Sequence, residues 1–205
     1  MNFDKIIIER ITEKQIPESK QVIAKAFYGD NLFGYFFPNN SHRLDYIEHY
    51  FENMLNFCVK NGVVNSIHPG GIGYALWLPS KVIYENTLQK SSELECVEYD
   101  PQLPIKSVEL IHAYNKYIDA LHTLNAPNPH CYLDLIAVNP IHQGKGYATA
   151  LLNKTLLQLD DLGIPSYLVT QNVKNVSLYK HFNFKIISHS LIPGTDIPHW
   201  EMSRL

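Results

Sequence analysis

The apolar run Cys131-Tyr132-Leu133-Asp134-Leu135-Ile136-Ala137-Val138 breaks at Asn139-Pro140 and leads into Gly144 and Gly146. Beyond the glycines, Ala148, Leu151, Leu152, Thr155, Leu156 and Leu159 recur at helical spacing. A buried strand that enters a helix through a glycine loop is the feature that most limits what this chain can become, because it fixes one strand-to-helix connection. The alternation continues downstream. A helix from Gly144 to Leu159 is followed by a strand at Ser166 to Thr170, a helix from Val173 to Phe182, and closing strands at Phe184 to Ser188 and Ile197 to Met202. That order predicts an α/β sheet.

Upstream, Ile6, Ile7 and Ile8 predict a strand within Lys5 to Ile11. Thr12 to Gln15 has capping-box spacing and would start a helix reaching about Phe27. Gly29 to Asn40, with two glycines, a proline and several aromatics, reads as a loop that closes over something. Ser41 would cap a second helix, with Leu44, Ile47, Phe51, Met54, Leu55 and Cys58 on its apolar face and an end at Asn61-Gly62. Tyr46, Tyr50 and Phe57 fall on a neighbouring face, where they either line a pocket or widen the core stripe. Strands follow at Val63 to Ile67 and Gly73 to Leu78 around a turn at His68 to Gly71. Helical patterning returns at Val82 to Leu88 and Ile105 to Leu124. The length of 205 residues favours one domain.

Seventeen basic and twenty acidic side chains give a net charge of −3. Basic residues never gather into a long run, which argues against a nucleic-acid groove or an anionic membrane surface as partner. The cysteines, Cys58, Cys96 and Cys131, are odd in number and widely spaced, so neither a disulfide framework nor a metal site is expected. With no leader pattern at Met1 to Arg10 and no apolar stretch of membrane-spanning length, a cytoplasmic setting is expected.

Two glycines ahead of a helix leave its first N–H groups uncrowded, and the helix dipole adds positive character there, so an anionic phosphate fits; a tight connection without ligand is the alternative. A Walker loop is excluded because Tyr147 follows Gly146, and the dinucleotide pattern fails at Thr149. Gln143-Gly144-Lys145-Gly146-Tyr147-Ala148 resembles the Q/R-x-x-G-x-G/A loop of the GNAT superfamily of acyl-CoA N-acyltransferases. Leu133 to Pro140 resembles that family's fourth strand. Asn175 to Phe184 is similar to its N-x-x-x-Y-x-x-x-G-F segment, with Asn183 in place of the glycine. Pro193 to Met202 and Ala75 to Pro79 are similar to the branch that includes puromycin N-acetyltransferase.

The resemblance implies a mixed, mostly antiparallel sheet of about six to seven strands flanked by helices on both faces. It also implies one domain over 1–205, with an acceptor-side half at 1–129 and an acetyl-CoA-binding half at 130–205. The implied activity is acetyl transfer from acetyl-CoA to a primary amine of a small molecule, by direct attack and without a metal. A non-catalytic acyl-CoA sensor and a protein or peptide N-acetyltransferase are the competing readings, and a homodimer is compatible with the sequence. By resemblance, the N–H groups of Gln143, Gly144, Lys145, Gly146, Tyr147 and Ala148 would hold the coenzyme A pyrophosphate, and the strand at Ile136, Ala137 and Val138 the pantetheine arm. Lys145 either adds charge near phosphate or is simply solvated. Asn175 would touch the cofactor, or serve as a cap or a surface residue. Tyr179 would bind the cofactor and protonate the leaving sulfur, against a buried tyrosine bonded to backbone. Asp134, a lone carboxylate in an apolar strand, is the candidate for the amine proton, against structural pairing with a buried partner. His130, His142 and His199 flank these segments as further candidate bases, against surface residues at element ends. Cys131 could suggest a covalent acetyl-enzyme, but a cysteine there reads as packing.

Overall fold

A computed structural model describes residues 6–38, 41–92 and 101–205. Lys5, Asn39, Asn40 and Cys96, on which parts of the reading above fell, lie outside the described residues. Seven strands are ordered β1-β2-β3-β4-β5-β7-β6 in a mixed sheet flanked by helices, as the sequence implied. They are β1 (Ile8–Arg10), β2 (Val63–Ile67), β3 (Gly73–Pro79), β4 (Cys131–Val138), β5 (Ser166–Thr170), β6 (Lys185–Leu191) and β7 (Pro198–Arg204). The helices are α1 (Ile16–Phe27), α2 (Asn31–Phe36), α3 (Arg43–Asn61), α4 (Ser80–Ser92), α5 (Ile105–Asn125), α6 (Tyr147–Leu162) and α7 (Val173–His181). No helix among the described residues is long and apolar enough to cross a membrane. The chain packs as two units, Met1–Leu78 with Leu133–Leu162, and Pro79–Tyr132 with Gly163–Leu205.

In the first unit β1, β2 and β3 are antiparallel neighbours, with Val63 opposite Trp77 and Asn65 opposite Ala75. The capping box at Thr12 and Gln15 forms as predicted, the Thr12 N–H donating to Gln15 Oε1 at 2.7 Å ahead of α1. α1 and α3 pack through Phe27 and Phe51, whose ring centroids are 5.3 Å apart, and through the Lys20–Glu52 ion pair at 2.7 Å. α6 is fastened to β2 by Asn65 Nδ2, which donates to Thr155 Oγ1 at 3.0 Å.

The expected loop at 29–40 is instead largely the short helix α2. Asp30 caps it, its carboxylate accepting from the N–H of Leu32 at 2.8 Å and of Phe33 at 3.4 Å. Leu32, Phe33 and Phe36 are buried, and Phe33 lies 4.9 Å from Phe51, so these aromatics pack into the core rather than over a ligand. Gly34 and Pro38 suggested a break, but a cap with three buried side chains outweighs one glycine. α3 begins at Arg43 behind His42, not behind Ser41.

In the second unit β7 lies between β5 and β6, antiparallel to both, with Thr170 opposite Trp200 and His189 opposite Trp200 on the other side. A register shift between Ile186 and Ser188 marks a bulge in β6, the strand that closes one end of the sheet. α7 ends in a C-cap turn in which the Phe184 N–H reaches back to the Tyr179 carbonyl at 3.1 Å. Asn183 takes φ 65° there, the left-handed conformation expected where the family pattern has glycine. Asn183→Gly is expected to leave thermal stability close to wild type, whereas Asn183→Ala, lacking asparagine's tolerance of that region, should cost about 1 kcal/mol, or roughly 2 to 4 °C in Tm by calorimetry.

Candidate functional site

β4 stops at Asn139, which fixes the start of the glycine loop. Its N–H donates to the Ile72 carbonyl at 2.9 Å, its Nδ2 to the Gly71 carbonyl at 3.0 Å, and its Oδ1 accepts from the Ile141 N–H at 3.3 Å. Gln143 Nε2 then returns to the Val138 carbonyl at 3.1 Å, and Lys145 Nζ to the Ile141 carbonyl at 3.1 Å. The loop is thus braced by its own side chains on the strand side. Gly144 and Gly146 each take φ 74°, where a side chain would be strained. α6 begins at Tyr147, later than the predicted Gly144, because both glycines are spent on this turn.

The N–H groups of Gly144, Lys145, Gly146, Tyr147 and Ala148 donate to no described residue; the first bond of the helix is Ala150 N–H to the Gly146 carbonyl at 3.1 Å. A cluster of open donors at a helix N-terminus, with no Cβ within 4 Å of anything at Gly144, is a setting for an anion. Lys145 directs its ammonium along the loop rather than outward. Asn139 had been read only as part of a strand end; an Asn-Pro step after an apolar strand was the available signal for its bracing role.

From Leu133 onward β4 alternates: Leu133, Leu135 and Ala137 are buried, while Asp134, Ile136 and Val138 are half-buried and share the other face, as the two-residue period of a strand requires. Asp134 Oδ2 accepts from the Cys58 thiol of α3 at 3.5 Å. Burial among apolar neighbours pushes Asp134 up to about 6, and the Cys58 hydrogen bond opposes that rise. The same burial, with the Asp134 charge, pushes the Cys58 thiol and the Tyr50 hydroxyl upward. Cys58 was read as core packing alone. Its partnership with a residue so distant in sequence leaves no local signal.

In the second unit, Tyr179 is buried on α7, its ring 5.9 Å from Phe184, and its hydroxyl makes no hydrogen bond to a described residue. Burial pushes it up, so it stays a protonated donor at neutral pH. Asn175 lies one turn earlier on the same helix and is half-buried; the cap of α7 is Asn172, whose Oδ1 accepts from the Lys174 N–H at 3.0 Å.

α5 carries a polar face that sequence patterning did not disclose. Asn125 Nδ2 donates to Glu201 Oε1 at 3.1 Å, and the Tyr167 hydroxyl donates to Glu201 Oε2 at 2.6 Å, so this fully buried carboxylate is satisfied from two sides. His122 and His130 meet Nε2 to Nε2 at 2.9 Å, and His130 Nδ1 is bonded to the Pro127 carbonyl. His130 therefore carries its proton on Nδ1 and accepts from His122. Burial pushes His122 down to about 4, the neighbouring His130 adding to the effect, and lowers His130 as well. His199, fully buried, accepts at Nδ1 from Gln171 Nε2 at 3.0 Å and is also pushed down by burial to about 4. Burial thus makes the His130 and His199 imidazoles weaker bases than ordinary and Asp134 a stronger base than an ordinary carboxylate. Cys131 is held up at about 11 by burial, which disfavours a nucleophilic thiolate.

Residues 107–184 match the profile of the acetyltransferase (GNAT) family. Among solved structures, the chain is similar to a histone acetyltransferase HPA2 and related acetyltransferase from Corynebacterium glutamicum, with 19% identity over 97% of this chain and 94% of that one and a TM-score of 0.65. It is also similar to a mosquito arylalkylamine N-acetyltransferase like 5b, with 14% identity over 98% and 100% and a TM-score of 0.68. A third is the Drosophila melanogaster polyamine N-acetyltransferase that catalyses formation of N-acetylagmatine, with 11% identity over 98% and 99% and a TM-score of 0.63. At these identities the likeness shows the fold alone. No protein of curated function matches the chain significantly.

The buried imidazoles set an acid limit. His122 and His199 are held near 4 in the folded chain against an ordinary 6.5, so the unfolded chain binds more protons between those values. Their contribution to stability is complete above about pH 6.5 and is lost as pH falls toward 4. The Tm measured from pH 7 to pH 4 should fall, and His122→Gln, which keeps a nitrogen donor but cannot charge, should flatten that fall.

Proposed function

We propose that this chain is an acetyl-CoA-dependent N-acetyltransferase acting on the primary amine of a small molecule. The observation that carries the reading is the row of open N–H groups from Gly144 to Ala148 at the head of α6. The match of 107–184 to the GNAT family and the amine acetyltransferases among the fold neighbours support it. Backbone N–H groups of Gly144 to Ala148 receive the pyrophosphate, whereas that of Gln143, which the resemblance included, is taken by the Pro140 carbonyl at 3.4 Å; Ile136, Ala137 and Val138 in β4 flank the pantetheine arm, and the resemblance adds Asn175 and Tyr179 as further contacts. Acetyl-CoA supplies the acetyl group as an activated thioester.

Asp134, near neutrality in its proton affinity, accepts a proton from the substrate ammonium and leaves a nucleophilic amine. The amine nitrogen bonds to the acetyl carbon as the carbon–sulfur bond breaks; the Tyr179 hydroxyl gives its proton to the departing sulfur, and the proton that the new amide nitrogen sheds restores the hydroxyl. No acetyl-cysteine is needed, in keeping with the raised Cys131 thiol. A half-buried carboxyl raised toward neutrality supports catalysis over a passive acyl-CoA sensor. The resemblance of Pro193 to Met202 and Ala75 to Pro79 to the puromycin N-acetyltransferase branch bears on acceptor class and rests on those segments.

Acetyl-CoA at a hundredfold its Kd should stabilise the protein by about 2.7 kcal/mol, a Tm rise of roughly 5 to 10 °C. Gly144→Asp should abolish the rise: the built Cβ meets nothing within 4 Å, so the side chain has room, while φ 74° strains the loop and lowers the ligand-free Tm, and the added carboxylate repels phosphate. Acetylation of a panel of phenethylamine, agmatine, spermidine and glucosamine, followed by thiol release, then identifies the acceptor. With the best amine, Asp134→Asn should slow turnover at least tenfold. An absent Tm rise would overturn the donor site, and an unchanged Asp134→Asn rate would remove Asp134 from the chemistry.

A further inference from the structure

Cys58 is completely buried on α3, and its thiol is aimed at one carboxylate oxygen, Asp134 Oδ2, at 3.5 Å. Asp134 Oδ1 takes no hydrogen bond from a described residue. A half-buried aspartate with a single fixed donor has its rotamer set from one side and one oxygen left over. We propose that Cys58 is a positioning residue for acetyl transfer: by donating to Oδ2 it orients the Asp134 carboxyl and reserves Oδ1 for the acceptor amine. The proposal rests on the reading of Asp134 as the group that takes the amine proton.

The thiol has no other chemical use where it sits. Burial and the adjacent carboxylate both disfavour the thiolate, which excludes nucleophile and base. What a thiol does supply is a weak donor. A serine hydroxyl, a stronger donor on a shorter stem, would have to draw the carboxyl toward α3 to reach it, and the charge-assisted bond so formed would stabilise the carboxylate further and move Asp134 away from neutrality. An alanine would remove the donor, leave burial unopposed and free the carboxyl to rotate. Sulfur thus gives orientation with little loss of proton affinity. Tyr50 and Cys58 of α3 are the titratable groups coupled to Asp134 among the described residues, and both are neutral across the working range, so no other charge competes for control of the carboxyl.

Two substitutions of opposite sign test the idea. In full-length protein carrying 13C-labelled aspartate, the Asp134 carboxyl resonance, assigned with Asp134→Asn, is titrated in wild type, Cys58→Ser and Cys58→Ala. Cys58→Ser should move its midpoint down, and Cys58→Ala up, each by about half a pH unit, the size of one modest hydrogen bond. The acid limb of kcat/KM for the fastest amine of the panel should move in the same directions. Cys58→Ala should also lower kcat several-fold on the pH plateau, with Cys58→Ser restoring it. Should either variant fold poorly, the S–H stretching band of Cys58 in a Cys96→Ser, Cys131→Ser background supplies the measurement: it should shift as Asp134 titrates and lose that shift in Asp134→Asn. A band indifferent to pH, or midpoints that stay put in both Cys58 variants, overturns the positioning role. If Asp134→Asn is slow while the Cys58 variants show wild-type profiles, only this inference falls. If Asp134→Asn runs at the wild-type rate, the reading beneath it falls.

Discussion

A helix cannot satisfy its own first N–H groups, and the first unit is organised around leaving those of α6 open. Asn139 makes this possible by taking over the hydrogen bonding that the strand end would otherwise need, with a brace to Ile72 and Gly71 on one side and Ile141 on the other. Gly144 and Gly146 then turn the backbone through left-handed conformations that other residues adopt only at a cost. Leu151, Leu152, Thr155 and Leu156 bury the opposite side of the helix, and the Asn65–Thr155 bond fixes its rotation over β2. The polar head of α6 stays outward because its apolar flank is committed.

The second unit follows a different economy. Its α5 brings polar side chains to the interior, where they meet partners from the strands: Asn125 and Tyr167 on Glu201, His122 on His130, Gln171 between Tyr114 and His199, whose Nε2 alone in this set has no partner among the described residues. A buried carboxylate without partners would be strongly destabilising, whereas one satisfied on both oxygens specifies how helix and strands must dock. The cost is borne at low pH, where neutral imidazoles cannot take up protons without losing these contacts.

Elements with unambiguous local signals were legible in the sequence. β2, β4 and β5 occupy the predicted positions because β-branched and apolar runs bounded by proline or glycine leave little choice of register. The strand-to-helix loop was equally readable, since its meaning lies in consecutive residues. α2 was not, because Gly34 and Pro38 are local signals whereas the burial of Phe33 against Phe51 is tertiary. The weak amphipathic patterning of α5 concealed its polar contacts, which depend on strands much later in the chain. The Cys58–Asp134 bond joins residues with no sequence relation. What was missed in the candidate site is therefore what only folding brings together.

The interruption in β6 reaches beyond local geometry. This strand ends the sheet, and Ile186, Ile187 and Leu191 are exposed along it. A flat strand with that surface would invite another chain to add on through its free backbone edge. The shift between Ile186 and Ser188 breaks the succession of aligned N–H and C=O groups, and Lys185 places a charge beside them. The chain can thus carry an apolar outer strand without offering an uninterrupted template for the end-to-end sheet growth that leads to aggregation.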